Sequence, residues 1–175
     1  CGKTPRSVAM SAKIGLMSDL HATAEPLRQA LKIFARNSVD HILCAGDVAG
    51  YGTELEQCIE LLLASGAVTI LGNHDRWYIE SNFSTMKKWV DVFFHNLPVT
   101  WESTIAGKRI FAVHGSPAAP MNGGITLLDQ DEKIISSRKE KWHLELEGYG
   151  FDVLVVGHTH QVFAEMLGHT LVINP

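Results

Sequence analysis

A chain of 175 residues, 46% hydrophobic and 19% charged, is long enough to bury a substantial core and too apolar to stay disordered. Its longest apolar run, 59–70, carries Glu60 and is too short to cross a bilayer, so no membrane-spanning helix is expected. A net charge of −4, with acids and bases mixed along the chain, excludes an extended basic nucleic-acid surface. The three cysteines (Cys1, Cys44 and Cys58) form neither a disulfide framework nor a Cys-x-x-Cys metal pair, which suits a reducing compartment and a cytoplasmic location. Nine histidines against fifteen Lys plus Arg are out of proportion, and only their positions can account for them.

Residues 1–12 have no periodicity and are expected to be an N-terminal extension, flexible or non-native, ahead of one domain over 13–175. Lys13 to Met17 is a short buried-strand run. Thr23 is placed to cap a helix with Leu27, Ala30, Leu31 and Phe34 on its apolar face. Val39 to Ala45 is a second strand, and Thr53-Glu54-Leu55-Glu56 has the form of a capping box opening a helix that stops at Gly66. Ala67 to Leu71 is a third strand. This β-α-β-α-β order implies parallel strands joined by right-handed crossovers. Residues 76–98 are aromatic-rich and helical, and are expected to cover a sheet edge or else to form a lid that stacks on a base or aryl group. Residues 99–113 have the form of a hairpin around Ala106-Gly107. A Pro/Gly-rich loop and a helix around Asp131 to Leu146 fill 115–148. Strands follow at Phe151 to Val156, Gln161 to Leu167 and Thr170 to Ile173. The strand-like end at Asn174-Pro175 leads us to expect a domain cut short before its closing strands.

Each of five strand runs ends in a polar cluster: Asp19-Leu20-His21, Gly46-Asp47, Gly72-Asn73-His74-Asp75, His114-Gly115 and Gly157-His158-Thr159-His160. In an α/β fold such ends converge on one edge. Asp19, His21, Asp47, Asn73, His114, His158 and His160 are then seven oxygen and imidazole donors, too many for one ion and suited to two. Asp47, following a glycine, is open on both sides and suited to bridge. His158 and His160 alternate across what is expected to be an extended segment, so their rings serve different ions. Two divalent cations about 3.5–4 Å apart, sharing a water or hydroxide, suit in-line attack on phosphorus.

These five motifs, in this order, resemble those of the calcineurin-like metallophosphoesterases, and the resemblance covers nearly all of the chain from Lys13. It implies an α/β fold, an αββα sandwich of two mixed β-sheets flanked by helices. It also implies that Asp19, His21, Asp47 and His160 hold one metal, and that Asp47, Asn73, His114 and His158 hold the other. His74 would act at the leaving group, with Asp75 behind it fixing its tautomer. The metals would be transition ions, manganese first among Mn, Fe, Zn, Ni and Co.

Gly46-Asp47 is not followed by the Asp-Arg-Gly of the Ser/Thr phosphatases. Gly50-Tyr51-Gly52 and His114-Gly115-Ser116-Pro117 look instead like the small prokaryotic phosphodiesterases of the diadenosine-tetraphosphatase-related branch. The expected substrate is a small phosphate ester, with phosphodiester cleavage the leading reading. A dinucleoside-polyphosphate hydrolase, a phosphomonoesterase and a non-catalytic metal-binding scaffold of the same fold are the alternatives, and a homo-oligomer is compatible with all of them.

Overall fold

A computed structural model describes residues 11–82, 84 and 86–175. The expected extension over 1–12 therefore falls almost wholly outside the described residues, as does Phe83 of the aromatic stretch. In chain order the elements are β1 (Ile14–Met17), α1 (Ala24–Arg36), β2 (His41–Cys44), α2 (Leu55–Ser65), β3 (Val68–Thr69), α3 (Asn73–Asn82) and α4 (Lys88–His95). They continue with β4 (Thr100–Ile105), β5 (Lys108–Val113), α5 (Ser136–Leu146), β6 (Val153–Val155), β7 (Phe163–Leu167) and β8 (Thr170–Asn174).

The strands form two sheets. One is β1-β2-β3, parallel throughout; the other is β4-β5-β6-β8-β7. Only the second is mixed, because the β4–β5 and β7–β8 pairs are antiparallel while β5–β6 and β6–β8 are parallel.

Alternation along the strands explains the layers, since successive side chains point to opposite faces. On β2 and just beyond it, Leu43 and Ala45 face a core shared with the other sheet, whereas Cys44 faces the helices. On β5, Ile110 and Ala112 face that inter-sheet core, and Val113 faces outward toward α5. On β6, Val155 points between the sheets and Leu154 away from them. The result is helix, sheet, sheet, helix. The outer layers are Leu27, Ile59, Leu62 and Phe94 on one side and Leu127, Leu146, Leu154 and Leu167 on the other. Burial on both faces is why these strands are continuous apolar runs rather than alternating ones.

Three local expectations are corrected. The Thr53–Glu56 capping box does not form: the N-cap of α2 is Glu54, with no side-chain cap bond. The Glu54 carboxylate instead accepts the Ala24 N–H at 3.0 Å, so it caps α1, while Glu56 pairs with Lys87 at 2.7 Å. Thr23 does occupy the N-cap of α1, but its hydroxyl is turned to the His21 carbonyl. Finally, the helix expected from Asp131 begins only at Ser136. Asp129 Oδ1 accepts the N–H groups of Asp131 and Lys133 and closes a turn there.

Candidate metal centre and active-site cleft

The polar strand ends do meet. Asp19 and His21 follow β1, Asp47 follows β2, and Asn73 opens α3; His114 follows β5, and His158 and His160 follow β6. The loops of the parallel sheet are laced together by backbone bonds, His21 N–H to Asp47 O at 2.9 Å and Ala22 N–H to Val48 O at 2.7 Å. The two sheets are tied by Gly157 N–H to His114 O at 2.9 Å and by His158 N–H to both Asp19 oxygens at 3.1 Å.

Two glycines allow this closeness. A Cβ on Gly72 would sit 2.1 Å from Asp47 Oδ1, and one on Gly157 would sit 2.0 Å from Ser18 Oγ and 2.8 Å from Asp19 Oδ2. Asn174, not counted among the expected site residues, is buried and donates to Gly157 O at 3.2 Å and Thr159 Oγ1 at 2.9 Å, bracing the His158–His160 loop.

Backbone strain is concentrated here. Nine described non-glycine residues have positive φ, and five of them are Asp19, His21, Asp47, His158 and His160. Such conformations cost of order 1–3 kcal/mol each and persist where the surroundings over-determine them. They also correct the expected extended segment: His158 at φ 68° and His160 at φ 53° are left-handed, and a double kink rather than strand alternation separates the two rings.

The ring hydrogen bonds determine which nitrogens remain available. His114 Nδ1 donates to Ala45 O at 2.7 Å, which leaves the Nε2 lone pair facing Asn73 Oδ1 at 3.0 Å and Asp47 Oδ2 at 3.3 Å. Asn73 Oδ1 also lies 2.8 Å from His158 Nδ1. His21 Nδ1 faces Ala49 O at 3.3 Å, so its Nε2 meets His160 Nε2 at 3.0 Å, with Asp19 Oδ1 3.4 Å from the latter. The His114 Nε2 lone pair, turned on two oxygens in this way, is repelled unless positive charge lies among them. The donor set therefore fits a cation, and Asp19, His21 and His160 converge closely enough to hold one, as do Asp19, Asp47 and His114.

Burial pushes the His21 and His158 imidazoles below their ordinary pKa, toward the neutral form that ligates metals. Burial would do the same to His114, but the Asp47 carboxylate beside it outweighs that effect and raises it. Burial alone would raise Asp47, and the hydrogen bond and charge of His114 bring it below the usual carboxylate range.

Asp47 Oδ1 also accepts the His74 N–H at 2.8 Å. The His74 ring is met by Tyr51, whose hydroxyl lies 3.2 Å from Nε2, and by Trp77, with ring centroids 4.7 Å apart. Asp75 is not the partner of that ring: its two oxygens accept the Ala49 N–H at 2.7 Å and the Gly72 N–H at 2.9 Å. Fully buried, its carboxyl is pushed up to about 6 by desolvation despite those two donors. Asp75 thus ties the Asp47 loop to the start of α3.

Asp47, Tyr51, Asn73, His74, Trp77, His158 and His160 line an open cleft of about 520 Å³. A larger apolar groove of about 710 Å³, between α2 and α4, shares no lining residue with it. Sequence reasoning used Gly50-Tyr51-Gly52 only as a mark of resemblance and did not place Tyr51 at the site.

Residues 12–175 match the calcineurin-like phosphoesterase superfamily domain. Among curated relatives, phosphodiesterase YfcE of Escherichia coli is 25% identical over 178 residues, covering 93% of this chain and 77% of YfcE. An uncharacterized protein of Methanocaldococcus jannaschii, MJ0912, is 24% identical over 170 residues, and the chain spans 65% of its length. The fold is also that of a metallophosphoesterase from Sphaerobacter thermophilus (TM-score 0.70, 21% identity, 93% of this chain and 75% of that one). With the five strand-end motifs gathered at one cleft, the chain belongs to the calcineurin-like phosphoesterase superfamily, a metal-dependent family acting on phosphate esters.

Proposed function

We propose that this protein is a phosphodiesterase using two divalent transition-metal ions, manganese in the first instance, to hydrolyse a small phosphate ester. The observation that carries this reading is the convergence of carboxylate, amide and imidazole groups from both sheets on one cleft, with Asn73 Oδ1 held between two imidazoles. The names of the phosphodiesterase relatives support the reaction class. Asp19, His21, Asp47 and His160 would hold one ion, and Asp47, Asn73, His114 and His158 the other. When bound, the ions supply Lewis acidity, withdrawing charge from phosphate oxygens and acidifying water.

The chain's own residues provide the rest. Asp47 is fixed through one oxygen by the His74 N–H, which leaves its other oxygen turned to His114. His74 Nε2, at the cleft wall beside the Tyr51 hydroxyl, is the group placed to move a proton at the leaving oxygen. Asp75 holds the loop that carries Asp47 against the N-terminus of the helix that carries His74. A cytoplasmic location agrees with two free, buried thiols, Cys44 and Cys58.

Hydrolysis of bis(p-nitrophenyl) phosphate is expected with Mn²⁺ supplied. Asp47→Ala should abolish turnover and weaken binding of both ions, while His74→Ala should lower kcat roughly 10²- to 10⁴-fold, as for loss of a general acid, with metal still bound. Loss of metal from His74→Ala would overturn the role given to that residue. Folded protein inactive with Mn²⁺, Co²⁺, Ni²⁺ and Fe²⁺ would overturn the function.

A further inference from the structure

On α3, neighbouring aromatics diverge. Tyr78 packs inward against Phe94, with centroids 5.6 Å apart, whereas Trp77 is 51% exposed at the cleft beside His74. Across His74 stands Tyr51, 76% exposed, with its ring 4.8 Å from His74 and 4.7 Å from His21. Both rings meet His74 tilted or edge-on, at 58° and 70°, rather than stacked flat on the imidazole.

Neither ring belongs to a hydrophobic core cluster. The backbone that carries Tyr51 is nonetheless held firmly. A Cβ on Gly50 would lie 2.3 Å from His21 Nδ1, and Gly52 N–H bonds His21 O at 2.8 Å, so the loop is clamped on both sides of the tyrosine. An aromatic side chain on a clamped backbone has only its own two side-chain torsions to fix on binding a partner, which suits a recognition residue. Large apolar groups left in water next to a polar cleft call for a ligand with an aromatic surface.

We propose that Tyr51 and Trp77 form an aromatic subsite that selects phosphate esters carrying an aromatic ring, either a nucleobase or an aryl group, stacked beside His74. The proposal rests on the phosphoester reading of the cleft and adds the substrate class to it.

The test is calorimetric binding to Mn²⁺-supplied protein of two matched pairs: AMP against ribose 5-phosphate, and phenyl phosphate against methyl phosphate. Stacking on one base is worth about 5- to 150-fold in affinity, so at least one aromatic ligand should bind more tightly than its partner by that factor. Preference within the AMP pair alone identifies a nucleotide site, and within the phenyl pair alone an aryl ester site. Trp77→Ala and Tyr51→Ala, checked for folding by circular dichroism, should lose most of the preference, and Tyr51→Phe, which keeps the ring, should retain it. In the wild type, AMP but not ribose 5-phosphate should quench tryptophan emission, a readout that needs no variant.

Equal or absent binding within both pairs overturns the subsite, as does an unchanged preference in both alanine variants. Hydrolysis of bis(p-nitrophenyl) phosphate is measured on the same samples. Aromatic preference without hydrolysis would refute the phosphodiesterase reading and leave the subsite standing; hydrolysis without preference would refute the subsite alone.

Discussion

Gly72→Ala isolates the close approach on which the candidate centre depends. The new methyl would lie 2.1 Å from Asp47 Oδ1 and 2.3 Å from Asp47 N, each more than an ångström short of the 3.4 Å at which ordinary contact begins. Rotating the carboxylate cannot relieve the second clash, because it is with backbone. The Asp47 loop must therefore retreat, and three bonds are disturbed with it: His74 N–H to Asp47 Oδ1, and those from the Ala49 and Gly72 N–H groups to Asp75. Overpacking of this kind costs about 1–3 kcal/mol, and weakening one charge-assisted hydrogen bond adds about 1.5–3 kcal/mol. A loss of about 2.5–6 kcal/mol lowers Tm by roughly 5–24 °C in a chain of this size. The control is Gly107→Ala, at φ 77° in the β4–β5 turn with nothing within 4 Å of its Cβ. It meets only the left-handed backbone, about 1 kcal/mol. Calorimetric melts of both variants, with phosphodiester hydrolysis alongside, make the comparison. If Gly72→Ala melts within a degree or two of Gly107→Ala and keeps wild-type hydrolysis, the packing of Asp47 against the third strand end is wrong.

Three further outcomes follow from the same structure. Mn²⁺ at about 100 times Kd should stabilise chelator-treated protein by about 2.7 kcal/mol per site, raising Tm by roughly 10–20 °C for two sites; no shift with Mn²⁺, Co²⁺, Ni²⁺ or Zn²⁺ would refute the ligand set. Glu54→Ala should cost about 0.5–2 kcal/mol in urea melts by uncapping α1, while Thr53→Ala should stay within about 0.5 kcal/mol; the reverse order would restore the local capping box. Cys58, fully buried with its thiol pushed up to about 11, and Cys44, higher still, should both resist iodoacetamide at pH 8 and react in urea, as read by peptide mass spectrometry. Rapid labelling of either in native buffer would contradict the core beneath α2.

What could be read from the sequence was whatever depends on near neighbours along the chain. The apolar runs gave the strands because both of their faces are buried, and the polar residues after them met because parallel strand ends share an edge. The capping box failed for the opposite reason. Its local geometry was available, but Glu54 and Glu56 each found a partner about thirty residues away, and tertiary packing decided between the two. The same holds at the site. His158 and His160 looked alternately placed because an extended backbone was assumed, whereas both are left-handed. Asp75 looked like a partner for His74 by adjacency alone, but the helix that starts at Asn73 turns successive side chains away from each other. Tyr51 and Trp77 flank one imidazole from positions 26 residues apart, and no periodicity joins a glycine-bounded loop to the second turn of a helix.

The division of the donors between two sheets has a physical consequence. Asp19, His21, Asp47 and Asn73 come from the three-stranded sheet, and His114, His158 and His160 from the five-stranded one. Neither half can assemble the cleft alone. What brings them together is the inter-sheet layer, in which Ala45 and Ala112 are small enough to let the strand ends approach, and the bond from His114 Nδ1 to Ala45 O, which crosses that layer at its edge. The strained residues lie at the ends of these same strands, and the bonds that restrain them are largely backbone ones, His21 N–H to Asp47 O and Gly157 N–H to His114 O among them. Those restraints use none of the carboxylate or imidazole atoms that face the cleft. Apart from the His158 N–H bond to the Asp19 oxygens, the fold therefore sustains the costly conformations largely with groups that have no chemistry to perform, and it leaves the reactive lone pairs fixed in direction. A site that must stabilise charge developing at phosphorus requires that division, because donors already aimed need no reorganisation during the reaction.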